Sequence, residues 1–203
     1  MVRIWMLSRI KLLTFLVALL SLVSLLSGCF LIKIYGVSYP RPVTDEDIRN
    51  TATRFGIAPH ELGLIDTSKY LSVVWKYADS MLAQDLLQPL QIRYYDNDTL
   101  SLFVANCHTG GFPNLSWNSF GVFNTFPPSP WKPRTFRYSS EDEVTGWSLS
   151  DLEMAGHNVL IIYWTVFMGR QSKRLINFVK HYQINNDTTV QVRFINIDAL
   201  YAE

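Results

Sequence analysis

Two cysteines and four histidines are the side chains of this 203-residue chain best suited to chemistry. Cys29 lies in an apolar N-terminal stretch, and Cys107 stands next to His108, just before Thr109-Gly110-Gly111. A cysteine nucleophile needs a base oriented on its sulfur and an electropositive, partly exposed setting. The sequence places Cys107 at the close of a strand, where neighbours point to opposite faces, so His108 is poorly placed to serve it. The expectation is a small buried thiol, with Cys107 kept as the one catalytic candidate. His60, His108, His157 and His181 show none of the spacings that set two zinc ligands on one helix face, so neither metal nor cofactor is expected. There is no phosphate loop, nucleophile elbow or dinucleotide glycine fingerprint. Asp45, Glu46 and Asp47 read as a solvated helix start rather than a cation site.

The elements that would hold such residues follow from periodicity. Thr44-Asp45-Glu46-Asp47 is a capping box, with Ile48, Ala52 and Phe55 as a narrow apolar stripe and Gly56 as the stop. Tyr70 to Leu87 reads as one helix with Leu71, Val74, Trp75, Ala78, Met81, Leu82 and Leu86 on its buried face. Gln91 to Tyr95 and Leu100 to Asn106 are strands around the turn Asp96-Asn97-Asp98-Thr99. Cys107 to Trp147 shows little periodicity but holds Trp117, Phe120, Phe123, Phe126, Trp131 and Phe136 among several prolines. Two roles suit these aromatics: covering the sheet, which is favoured, or lining a partner surface formed by Trp117, Phe120, Phe123 and Trp131. Val159 to Trp164 is an unbroken β-branched and aromatic run, as in strands covered on both faces. A turn over Thr165 to Gly169 leads to Leu175, Ile176, Phe178, Val179 and Tyr182 at helical spacing, and Val190 to Ile197 is a second strand. That is a βαβ unit, and the fold class is α/β.

The first residues form a sorting signal. Arg3, Arg9 and Lys11 precede the apolar run Leu12 to Leu26, and Leu26-Ser27-Gly28-Cys29 follows. This resembles the bacterial lipoprotein box, an aliphatic residue and two small ones before a cysteine that is lipidated. The resemblance implies a signal peptide over 1–28, a lipidated tether over 29–42 and one α/β domain over 43–203. It implies acyl chains on Cys29, which anchor stably when there are two or three. It also places the chain in the bacterial cell envelope, with Phe30 leaning towards the outer membrane facing the periplasm. The alternative is an uncleaved span, because Leu12 to Ile32 approaches the ~20 residues needed. With Cys29 lipidated, Cys107 is the only thiol and no intramolecular disulfide forms. Beyond Gly28 the chain carries 15 Lys and Arg against 17 Asp and Glu, a net charge of −2. Nucleic acid is therefore not an expected partner.

Tyr163-Trp164-Thr165-Val166-Phe167-Met168-Gly169-Arg170-Gln171 resembles the thioredoxin active-site stretch F-W-A-P-W-C-G-P-C. Val192 to Asp198 resembles that family's second strand, and Ser148 to Leu152 looks like the lead-in of membrane-tethered thiol-disulfide oxidoreductases. The resemblance implies a thioredoxin-like sheet with N-terminal helices and a long aromatic loop. Met168 and Gln171 stand where the family has its redox cysteines. A thioether and an amide neither attack a disulfide nor resolve one, so the activity does not carry over. The family's antiparallel hairpin follows its βαβ unit, whereas here Gln91 to Asn106 precedes it. A permuted sheet is the expectation, with Gln91 to Tyr95 beside Val159 to Trp164 and, as a guess, a cis bond at Pro89. The resulting functional expectation is a non-catalytic binding or scaffolding module at the envelope. Its alternatives are a one-cysteine redox enzyme using Cys107 and a structural part of an envelope complex.

Overall fold

A computed structural model describes residues 17, 36–76, 81–96, 99–110, 114–131, 158–185 and 190–201. Cys29, Ser148 to Leu152 and His157 lie outside the described residues, as do most of the signal segment and the end of the aromatic loop. Among the described residues no helix is long and apolar enough to cross a membrane.

The domain is mixed α/β. Its elements are α1 (Asp45–Arg54), β1 (Leu62–Leu64), α2 (Thr67–Lys76), α3 (Met81–Leu86), β2 (Gln91–Asp96), β3 (Thr99–Ala105), β4 (Val159–Trp164), α4 (Gly169–Asn185) and β5 (Gln191–Asn196). The five strands form one sheet in the order β1-β5-β4-β2-β3. β1, β5 and β4 run parallel, while β2 is antiparallel to both β4 and β3. β4 lies at the centre, and every residue of it is buried. This is what an unbroken apolar run needs, since no face of it can meet water. Its side chains alternate between two cores. Leu160, Ile162 and Trp164 face α1, α4 and the aromatic loop, whereas Val159, Ile161 and Tyr163 face α2 and α3.

The β2–β3 hairpin sits beside β4, with Gln91 opposite Tyr163 and Tyr95 opposite Val159, the pairing expected from the sequence. The guess of a cis bond at Pro89 fails, because the cis peptide bond among the described residues is Phe126–Pro127. A register shift makes Tyr94 and Tyr95 face Leu102 and Leu100, so Ser101 is the extra residue of a bulge. Beyond it, β3 is an edge strand. Its outer groups are covered by Trp131, whose carbonyl accepts from Phe103 N (2.9 Å) and whose N–H donates to Ser101 O (3.2 Å). Covering an edge this way removes a template for intermolecular pairing.

The helix start at Thr44 is as expected: its hydroxyl accepts from Asp47 N, and Asp47 accepts from Thr44 N. Gly56 ends the helix at φ +79°. The second helix differs from expectation. It is two helices, α2 and α3, and α2 buries Tyr70, Val73 and Val74, while Trp75 is 74% exposed and Leu71 half-buried. Tyr70-Leu71 and Val73-Val74-Trp75 offer two apolar stripes about one residue apart in phase, and contact with Tyr163 and Leu86 selects the one through Tyr70. β1, three residues long, is too short to show a period of two, and sequence reading misses it.

Candidate functional site

The turn after β4 brings Met168 and Gln171 to the start of α4, and the surrounding bonds hold that turn shut. Asp198, just beyond β5, accepts from Val166 N (2.6 Å), Phe167 N (3.4 Å) and Asn196 Nδ2 (2.7 Å). Ser172 Oγ donates to Thr165 O (2.6 Å), and Met168 N donates to Thr165 Oγ1 (3.3 Å). The approach from outside is taken by the chain itself. Ser38 N donates to Phe167 O (2.8 Å), and Arg170 N donates to Gly36 O (3.3 Å). Two glycines permit that approach: a Cβ on Gly169 would lie 2.7 Å from Gly36 O, and one on Gly36 would lie 2.4 Å from Arg170 Cβ. Trp164 is fully buried with its ring edge-on to Phe55 at 5.9 Å, Met168 packs against the core, and Gln171 is buried. Nothing here attacks or accepts a sulfur. Burial pushes the Asp198 carboxyl above its ordinary range, and its three donors only partly offset this.

Cys107 and His108 are placed differently from the expectation. The chain leaves β3 at Ala105 and makes a short 3-10 turn over Asn106–His108, so the strand alternation that set the two side chains apart does not apply. Both reach one carboxylate oxygen of Asp85 on α3. Cys107 Sγ donates to Asp85 Oδ1 at 3.5 Å, and His108 Nε2 lies 3.1 Å from the same atom. The expectation of a buried thiol is therefore corrected: Cys107 is exposed. It is not activated. Desolvation of the sulfur, the negative Asp85 and the bond to it push the thiol up to about 11. A negative carboxylate rather than a cation faces the sulfur, the reverse of the electropositive setting that a thiolate nucleophile requires.

Ala105 N donates to His108 Nδ1 (3.2 Å), which fixes the ring hydrogen on Nε2, facing Asp85. The imidazole thus also covers an outer amide of β3. It lies edge-on to Phe103 (5.9 Å) and to Trp131 (5.4 Å). The three donor atoms of Asp85, Cys107 and His108 lie within 4.8 Å of one another, so the donor set fits a borderline-soft divalent ion. A metal on Nε2 would move the ring hydrogen to Nδ1, opposite the Ala105 amide, at a cost of about 1–3 kcal/mol.

The aromatic loop divides in two. Trp117 (4% exposed) and Phe123 (7%) are in the core, Phe123 packing edge-on against Phe178 (5.1 Å) and Tyr182 (5.2 Å). The expectation that these two form part of a partner surface is corrected: both are buried in the core, and Phe123 covers α4 at Phe178 and Tyr182. Phe120 (54% exposed) stays outside, stacked on half-buried Trp131 at 4.9 Å and 18°.

Arg93 was not singled out by sequence reasoning. It is fully buried on the α2–α3 face of β2, with Nη2 donating to Tyr70 Oη (2.8 Å) and to Gln91 Oε1 (2.6 Å). Its guanidinium stands 4.3 Å from the Tyr163 ring centre. Burial would lower its pKa, but Tyr163, Tyr70 and Tyr95 more than offset this, so it stays charged. The one sequence signal was an arginine in a strand otherwise fit for a core.

Compared with protein-family models, with curated proteins and with solved structures, the chain gives no match. What the domain does is therefore read from its own side chains.

Proposed function

We propose that the chain is a lipid-anchored protein of the bacterial cell envelope, whose folded part is a thioredoxin-like module that has lost its dithiol and binds a partner instead of exchanging disulfides. The observation that carries this reading is the turn after β4. It has the lead-in strand, the tryptophan and the helix-opening glycine of a redox motif, yet holds Met168 and Gln171 among closed backbone bonds. The antiparallel pairing of β2 with β4 supports a permuted sheet, with the hairpin supplied from upstream. The anchor rests on the Leu26 to Cys29 box and the charged and apolar runs before it. The partner surface best supported is the exposed Phe120–Trp131 stack, since rigid aromatic anchors dominate binding energy. The one-cysteine enzyme is less supported, because Cys107 is held as a thiol.

Three measurements test the proposal. The full-length protein in detergent, assayed for insulin reduction by a small dithiol, is expected to give the uncatalysed rate; a clear acceleration overturns the loss of activity. A clickable fatty acid fed to a bacterial host should label the protein and not its Cys29→Ser variant; equal labelling of both removes the anchor. A photo-crosslinking side chain at Phe120 should yield one discrete envelope adduct that Trp131→Ala abolishes. No adduct, or one indifferent to Trp131, removes the binding surface.

A further inference from the structure

We propose that Asp85, Cys107 and His108, three ligands among the described residues, form a zinc-binding site whose fourth position is left to water or a partner. The donors come from two elements far apart in sequence, α3 and the turn after β3, so the fold and not a local motif assembles them. The two edges that meet at Asp85 Oδ1 have the lengths a coordination shell needs. A zinc tetrahedron with ordinary bond lengths has sulfur–oxygen and nitrogen–oxygen edges of about 3.5 and 3.3 Å. The observed separations from Asp85 Oδ1 are 3.5 Å to Cys107 Sγ and 3.1 Å to His108 Nε2. All three donors lie within 4.8 Å of one another. One thiolate, one imidazole and one carboxylate make a mixed soft and hard set, which selects zinc over magnesium or calcium. The exposed cysteine leaves the site accessible from solvent, so an ion can enter and keep a water or a partner's side chain in its fourth position.

Binding replaces two hydrogens that now point at Asp85. The thiol proton leaves to solvent as Cys107 becomes a thiolate ligand. The imidazole hydrogen moves from Nε2 to Nδ1, so the Ala105 amide loses its present acceptor. Metal binding is thereby coupled to the covered edge of β3, next to the Phe120–Trp131 stack.

The test titrates the full-length protein in detergent with cobalt(II) alone, then with zinc. Cobalt should give the thiolate charge-transfer absorption and the intense visible bands of a tetrahedral site, and zinc should abolish both. Cys107→Ser should lose the charge-transfer absorption. Asp85→Asn and His108→Gln should each weaken binding by more than the roughly 10–100-fold that loss of a supporting partner costs. Far-ultraviolet circular dichroism of each variant guards against misfolding, and a melting temperature that zinc raises in the wild type but not in Cys107→Ser gives a second readout. No charge-transfer absorption in the folded wild type, or equal affinity in all three variants, overturns the site. Faster exchange of the Ala105 amide with zinc bound is expected; unchanged exchange would overturn the coupling to β3.

Discussion

At the turn after β4, residues between Thr165 and Ser172 meet backbone groups and one buried carboxylate, and what results is a closed corner. At the turn after β3, a cysteine and a histidine meet an aspartate from a helix more than twenty residues away, and the corner stays open to solvent. The first holds a thioether and an amide, Met168 and Gln171, among closed backbone bonds. The second gathers a thiol, an imidazole and a carboxylate, of which the sequence shows only the adjacent Cys107 and His108. The difference teaches that Trp164 and Gly169 hold their corner by packing and close backbone approach, whatever chemistry a neighbouring residue offers. A cluster built across elements exists only through the fold.

The contrast can be broken most forcefully at Trp164. If the turn after β4 is kept for its packing, Trp164→Ala should cost about 3–5 kcal/mol of stability. Chemical denaturation would show this as a lower midpoint at similar slope, and a near-neutral result would remove the packing argument. At the other corner the expectation is kinetic. With its thiol pushed up to about 11, Cys107 should react with iodoacetamide at neutral pH without denaturant, about 10- to 15-fold more slowly than a free cysteine, once the higher nucleophilicity of a more basic thiolate is allowed for. Asp85→Asn removes the opposing charge and should speed alkylation. An unlabelled native protein would restore the buried-thiol reading, and labelling faster than free cysteine would restore the nucleophile.

The smallest expected effect concerns Asp198. Its carboxyl is raised in the folded protein, so its contribution to stability is greatest below the unfolded value near 3.8 and is lost as pH rises through the folded value. Relative to Asp198→Asn, the wild type should therefore lose stability between acid and neutral pH. The opposite slope, measured as denaturation midpoint against pH, would mean that the three donors outweigh burial.

Much of the scaffold was readable in advance where one face or one cap fixes the answer. β4 is apolar without a break, α4 keeps one stripe over 17 residues, and Thr44 with Asp47 forms a self-contained cap. α2 was misread because Leu71 and Trp75 are as apolar as the residues that are buried in their stead. Local pattern cannot phase a helix that is apolar on two faces. Cys107 departs from the strand pattern because β3 ends at Ala105, one residue short of the expected strand end, and a turn at Asn106 redirects both side chains.

The order of residues alone settled that Asp45–Arg54 and Gly169–Asn185 are helices and Val159–Trp164 a strand, that the stretch Tyr163 to Gln171 holds no thiol, and that a cysteine follows a small-residue pair at the end of an apolar run. These depend on neighbours in the chain. Only the tertiary structure decided that Asp85 stands beside Cys107 and His108, that Trp117 and Phe123 are core while Phe120 is not, and that Arg93 is charged inside a ring of tyrosines. Burial and the pairing of distant side chains arise from surfaces brought together through space, and no stretch of sequence short enough to have a period contains them.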